Sequence, residues 1–207
     1  MIRPPGWDGV LFSEASDGDM RADQAARATF AATAGIGSGW AVVHQVHGNE
    51  VVRVDHPGES GDADALWTDV VALPLAVFTA DCFGVVLQAI SAVGVAHAGW
   101  RGARAGVVAT LREAMTAAGH PPSRAGIGPG IGSCCFEVGA EVAVQFPESV
   151  AMTGWGTTSV DIPRLLRAQL SGLEVWASGS CTGHDPGWFS HRRDRTPRRM
   201  ASLGWVP

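Results

Sequence analysis

The sequence predicts a single α/β domain of mixed α+β type, a mixed β-sheet flanked by helices, spanning residues 1–207. Three observations predict it. Short β-branched runs bounded by turn residues fill the first half of the chain. A pattern of helical period takes over after Gly102. A second helical stretch then precedes two late β-type runs. With 46% hydrophobic and 17% charged positions, a chain of this length can bury most of its apolar surface in one core.

Taken in order, "AVVHQV" and "EVVRV" are β-type runs separated by "HGN", which predicts a hairpin with a Gly-Asn turn. "LPLAVFTADC", "FGVVLQAI" and "AVGVAHAG" follow as strands. They hardly alternate, so they are expected to be buried on both faces. "ARAGVVATLREAMTAAG" places Val107, Val108, Leu111, Met115 and Ala118 at helical spacing and stops at Gly119 before Pro121 and Pro122. "DIPRLLRAQLSGL" reads as a helix capped by Asp161 with Pro163 in its first turn. "EVWASGS" and "RRMASLGWV" close the chain as strands, and a short helix is expected to start near Glu137.

Composition narrows the function classes. The formal charge is −5, which argues against nucleic acid or an anionic membrane as partner, and no apolar run is long enough to span a bilayer. The N-terminus lacks a basic region followed by an apolar one, so a cytoplasmic location is expected. All 15 basic residues are arginines and tyrosine is absent, which excludes Schiff-base, lysine-base and phenolic chemistry. The basic run "HRRDRTPRR", interrupted by Asp194, reads as a solvated face or a set of internal ion pairs.

His47, Cys82 and His97 each sit where an apolar segment passes into a turn. Two imidazoles and a thiol without a fourth protein ligand match a catalytic zinc site with an open position, at which water becomes a nucleophile at neutral pH. Three separately packed core residues are the competing reading, and spacing alone leaves both standing. Cys181 and His184 have C-x-x-H spacing, and His191 could add a third ligand to a rival metal site. His44 and His47 would face opposite sides of an extended strand. "GIGPGIGSCCFEVG" is either an anion-binding nest of backbone amides or a tight turn. Its Cys134 and Cys135 are possible nucleophiles with no histidine nearby in sequence to activate them.

"QVHGNEV", "TADCFGVVL", "VAHAGWRGARAGVV", "GPGIGSCCFEVG" and "FSHRRD", in this order, resemble the YfiH/YlmD family, also labelled laccase-domain or multicopper polyphenol oxidase. The resemblance covers about Val42 to the C-terminus. It implies one YfiH-like domain holding a single zinc ion on His47, Cys82 and His97. The implied substrates are purine nucleosides and phosphate. The implied reactions are phosphorolysis of adenosine, inosine and methylthioadenosine to base plus (methylthio)ribose 1-phosphate, with deamination of adenosine alongside. In that reading Arg101 and Gln45, with Gly128, Gly130 and Cys135 of the glycine-rich loop, bind substrate or phosphate. Asp81 is the general base or a carboxylate that orients a ligand, against a bland role in stabilising its turn.

Relatives are also described as hydrolases that edit a muramoyl precursor by releasing a wrongly incorporated L-serine, and this is the alternative. A four-copper oxidase needs about ten histidines, largely in H-x-H pairs, whereas seven occur here and none forms such a pair, so copper is expected at most adventitiously. A non-catalytic binding module is the remaining reading. The sequence departs from the family near the N-terminus, within about residues 1–40. There "VLFSEAS" passes almost directly into "DGDMRADQAARATF", where relatives carry a T-R-x-G-G-x-S-like loop and its arginine.

Overall fold

In the computed structural model, which describes residues 1–207, the apolar runs form two facing sheets rather than one. Strands β6 (Leu75–Thr79) and β8 (Val93–Ala98) are buried at every position, which explains their unbroken apolar sequences. One sheet has the order β1 (Val10–Phe12), β13 (Met200–Gly204), β6, β2 (Ala41–His44) and β4 (Gly58–Asp62). The other runs β12 (Glu174–Ala177), β9 (Arg124–Ile127), β7 (Phe83–Gln88), β8, β5 (Ala65–Thr68) and β3 (Val51–Arg53). Both sheets mix parallel and antiparallel pairs. Between them lies a core of Phe12, Val43, Leu66, Leu75, Val77, Val86 and Val95. A separate hairpin pairs β10 (Val150–Met152) with β11 (Thr158–Val160).

Helices cover the outer faces, so the layers run α, β, β, α. Helix α1 (Gln24–Ala34) is capped by Asp23, which accepts the amides of Ala25 and Ala26, and it ends at left-handed Gly35. It presses Phe30 and Ala31 onto Trp40, which precedes β2, and onto Ala76 and Leu203 of the five-stranded sheet. On the six-stranded sheet, Val107, Val108, Leu111 and Met115 pack against Ala65, Val85 and Ala96. The expected continuous helix is in fact two, α2 (Trp100–Ala105) and α3 (Val107–Ala117). Gly106 separates them at φ 82°, a conformation that glycine tolerates without a steric penalty. The helix expected near Glu137 starts later, as α4 (Ala140–Ala143). Helix α5 (Ile162–Gln169) keeps its expected cap, Asp161 accepting the Arg164 amide at 3.0 Å. The last helix, α6, is the single turn His191–Asp194.

The hairpin expected across "HGN" does not form. β2 pairs with β4 and β6 in one sheet, while β3 pairs with β5 in the other, so residues 45–50 cross between sheets. The amides of Val46, His47 and Gly48 donate to the Asp64 carboxylate instead of to a partner strand. Two other links make the same crossing, one carrying Asp64 between β4 and β5, the other carrying Asp81 and Cys82 between β6 and β7. These crossings assemble the candidate site.

Candidate metal centre and its cavity

His47, Cys82 and His97 offer one ligand atom each, all within 4.8 Å of one another. The two imidazole rings lie edge to face with centroids 4.8 Å apart. His97 is buried at the end of β8, where its cross-strand neighbour is Gly84, while Cys82 is half-buried and His47 exposed. His47 sits at φ 63°, a strained value for a residue with a side chain, held there by the bond from its own amide to Asp64. Gly99 keeps the neighbouring turn close: a Cβ there would stand 3.0 Å from both Cys82 Sγ and the His47 ring.

Asp64, fully buried, is the residue that ties the triad together, and it was not singled out in the sequence. Its carboxylate accepts Nδ1–H of His97 at 2.7 Å, which leaves Nε2 as that ring's free donor atom. Its backbone carbonyl also accepts the His97 amide at 2.7 Å. Burial pushes the Asp64 carboxyl upward, but the His97 bond and the Gly48 and His47 amides outweigh it and hold the group below the usual carboxylate range. Burial likewise pushes the Cys82 thiol up, and the hydrogen bonds and charges of His47 and His97 overcome this to bring it down to about 6. Burial pulls His97 down, while Asp64 and Cys82 raise it to about 9.

Without metal, Cys82 and His97 therefore form a thiolate–imidazolium pair near neutrality. The stabilisation from Cys82 is lost as pH falls through about 6, that from His97 as pH rises through about 9. Metal-free protein is expected to show a thiolate ultraviolet band that appears with a midpoint near pH 6. A midpoint in the ordinary thiol range would sink this assignment. Two imidazoles and a readily ionised thiol, one ring oriented by a buried carboxylate, fit a borderline divalent cation, so this cluster could hold a metal ion.

The triad opens into a cavity of about 410 Å³. Arg21, Arg192, Arg199 and His191 line it, together with the aromatic rings of Phe78, Trp100 and Phe136. The basic run thus supplies cavity residues as well as ion pairs, since Arg193 is the one that pairs with Asp194. The N-terminal segment contributes Arg21 to this cavity.

The other expected site residues fall elsewhere or are already engaged. Gln45 reaches the cavity wall, but both ends of its amide are bonded to the backbone of Phe78. Arg101 is exposed and lies over the Trp100 ring at 4.3 Å rather than in the cavity. Asp81 lines the cavity at φ 86°, and its two oxygens accept Thr182 Oγ1–H and the Arg192 amide, both at 2.6 Å. The carboxylate behind the triad is Asp64, not Asp81.

Gly128 and Gly130 face a second cavity. Their amides donate to Gly84 and Ser180, and those of Ile131, Gly132 and Cys135 are also committed within the protein, so these five amides are not free to bind an anion. Its glycines answer to packing: a Cβ on Gly128 would lie 2.5 Å from the Phe12 ring. Gly128→Ala is expected to cost ~1–3 kcal/mol in denaturant unfolding through overpacking. An unchanged unfolding midpoint would contradict that reading. Cys135 is no activated nucleophile, since burial and its neighbours Cys134 and Cys181 push its thiol up to about 12. His191 lines the triad's cavity and does not join Cys181 and His184.

No helix is long and apolar enough to cross a membrane. Residues 7–207 match the family model described as multi-copper polyphenol oxidoreductase laccase. A purine nucleoside phosphorylase of Streptomyces griseus is 43% identical over 179 residues, covering 79% of this chain and 73% of that protein. A purine nucleoside phosphorylase of Mycobacterium tuberculosis is 37% identical over 220 residues, covering 99% and 88%. Among solved structures, YlmD from Geobacillus stearothermophilus superimposes with a TM-score of 0.84 at 26% identity, covering 99% of this chain and 94% of that one. YfiH from Bacillus licheniformis gives 0.81 at 27% identity, covering 89% and 80%. With the family model matched over nearly its whole length and YfiH and YlmD sharing its fold, the chain belongs to the laccase-domain family that contains them.

Proposed function

We propose that the protein is a zinc-dependent purine nucleoside phosphorylase that also deaminates adenosine. The observation that carries this reading is the sharing of one cavity by a metal-capable triad, three arginines and three aromatic rings. The names of the relatives in Streptomyces griseus and Mycobacterium tuberculosis support the phosphorylase part.

His47, Cys82 and His97 would hold the ion. When bound, zinc supplies a Lewis acid that activates water at neutral pH, which suits deamination of adenosine. Phosphorolysis breaks the bond from the ribose C1′ to the purine nitrogen and joins C1′ to a phosphate oxygen, and the purine leaves with the proton that the phosphate gives up. Arg21, Arg192 and Arg199 neutralise the phosphate dianion and hold it against the sugar. Phe78, Trp100 and Phe136 offer apolar faces to the base, and one side of Trp100 is closed by Arg101. Asp81 acts through Arg192: by accepting its amide, the carboxylate fixes the start of α6 and so the arginine's position at the cavity. The site suits no four-copper cluster, because it brings together only two imidazoles and one thiol.

The test is release of purine base from adenosine, inosine and methylthioadenosine by zinc-loaded protein, with and without phosphate. Base release that requires phosphate is expected, with inosine formed from adenosine. Absence of both would overturn the proposal, and release of L-serine from UDP-MurNAc-L-Ser in their place would favour the editing hydrolase. Arg199→Ala is expected to raise KM for phosphate roughly 10- to 100-fold, the loss of a charge-assisted contact of ~1.5–3 kcal/mol. An unaltered phosphate KM would remove Arg199 from the anion site.

A further inference from the structure

A second group of ligand-type side chains lies outside the triad's cavity. Cys134, Cys135, Cys181 and His184 bring three sulfurs and an imidazole nitrogen within 4.8 Å of one another. Cys134 Sγ stands 3.7 Å from Cys135 Sγ, 3.6 Å from Cys181 Sγ and 3.7 Å from His184 Nδ1. Cys135 Sγ is 3.5 Å from the same nitrogen. A tetrahedral zinc ion with bonds of ~2.3 Å to sulfur and ~2.0–2.1 Å to nitrogen sets its sulfurs about 3.8 Å apart and sulfur about 3.5 Å from nitrogen. The four separations fall close to these values. A weak S–H···S contact joins two sulfurs, but it gives no reason for three sulfurs and an imidazole to gather around one point.

Local structure explains how residues 47 positions apart in sequence converge. The Cys135 amide donates to Gly132 O at 3.0 Å, closing a tight turn that carries both adjacent cysteines. The Asp185 amide donates to Cys181 O at 3.2 Å, a helical turn that sets Cys181 and His184, three apart, on one side. A bridge between Gly130 and Cys181 holds the two loops together. The Gly132 amide donates to Cys181 Sγ at 3.1 Å, the kind of bond that steadies a thiolate ligand. A Cβ on Gly183 would lie 2.5 Å from that of Cys135, so only glycine permits this approach. Cys135 and Cys181 are buried and His184 is exposed, which leaves a way in for an ion.

We propose that Cys134, Cys135, Cys181 and His184 form a second, structural zinc site, closed by four protein ligands. It is independent of the reaction proposed above. Each thiol that binds gives its proton to solvent, so uptake of the ion releases protons and needs no oxidant. The site pins the loop carrying Ile131 and Phe136, which line the triad's cavity, to the loop carrying Thr182, which bonds Asp81. It is a clamp on the wall of the active cavity.

The test is metal analysis of the full chain, loaded with zinc and freed of loose ions. About two zinc ions per chain are expected, falling to about one in His184→Ala and in His97→Ala, and to none in the double variant. Cobalt(II) in place of zinc reads the same point on the unaltered protein. About three-quarters of the sulfur-to-cobalt absorption should arise from this cluster, which holds three of the four cysteines. One ion per chain with the absorption of a single thiolate would overturn the proposal. So would a disulfide joining Cys181 to Cys134 or Cys135 in the non-reduced protein as isolated. One ion retained in His97→Ala supports this site whatever becomes of the nucleoside chemistry.

Discussion

Cys82→Ser is expected to empty the triad and to lower kcat/KM for phosphorolysis and deamination by about a thousandfold or more. The size follows from the several kcal/mol of charge stabilisation that a Lewis acid contributes, each ~1.4 kcal/mol being a factor of ten. Serine keeps the shape of the side chain but not its chemistry. The Cys82 thiol ionises at about 6, whereas a serine hydroxyl stays protonated, so the site loses its only anionic ligand while His97 loses its thiolate partner. Folding should lose the stabilisation of the thiolate–imidazolium pair but little packing, because Cys82 is half-buried and sits in a link between sheets rather than in either core. The measurement is zinc content together with both activities. A variant that keeps its full zinc content would show that this thiol is not a ligand, and one that keeps activity after losing one equivalent would show that the reaction does not need the ion.

That same link shows what could be read from the residues and what could not. Strands β6, β7 and β8 were legible because each is buried over most of its length, and burial on both faces leaves an unbroken apolar signature. Helix α3 was legible because its buried residues recur at the helical period. Helix α1 buries only Phe30 and Ala31, too little to stand out. The two-sheet architecture was hidden for a different reason. The segment 45–50 has every local mark of a hairpin, yet its amides are captured by Asp64, some 16 to 18 residues away.

The site divides along the same line. His47, Cys82 and His97 could be singled out because each interrupts an apolar run with a donor atom. Arg192 and Arg199 could not be told from solvated charges, since only the turn at α6 and the start of β13 decide that they face a cavity. Cys134 and Cys135 were visible as a pair, but nothing near them in sequence announces Cys181 and His184.

Asp64→Asn is the expected second large effect, and it acts on fold and site together. Oδ1 accepts the His47 amide and Nδ1–H of His97, while Oδ2 accepts the amides of Val46 and Gly48. Whichever oxygen becomes the amide nitrogen of asparagine therefore meets two donors that it cannot satisfy. Leaving buried donors unpaired costs about 1–3 kcal/mol each, and the His97 pair loses its charge as well. The loop that holds His47 at its strained φ is released, so zinc affinity should also fall about 10- to 100-fold. The acid limb of stability should change too. Because the Asp64 carboxyl is held below its ordinary value in the folded protein, its stabilisation is complete above that ordinary value and is lost as pH falls through the depressed one. In the asparagine variant this acid-side contribution is absent, so its deficit relative to the parent narrows in strong acid. Urea unfolding across the acid range and zinc competition at neutral pH read the two effects. Were both to match the parent, Asp64 would be a bystander, and the anchoring of His47 and His97 would have to lie in the strands alone.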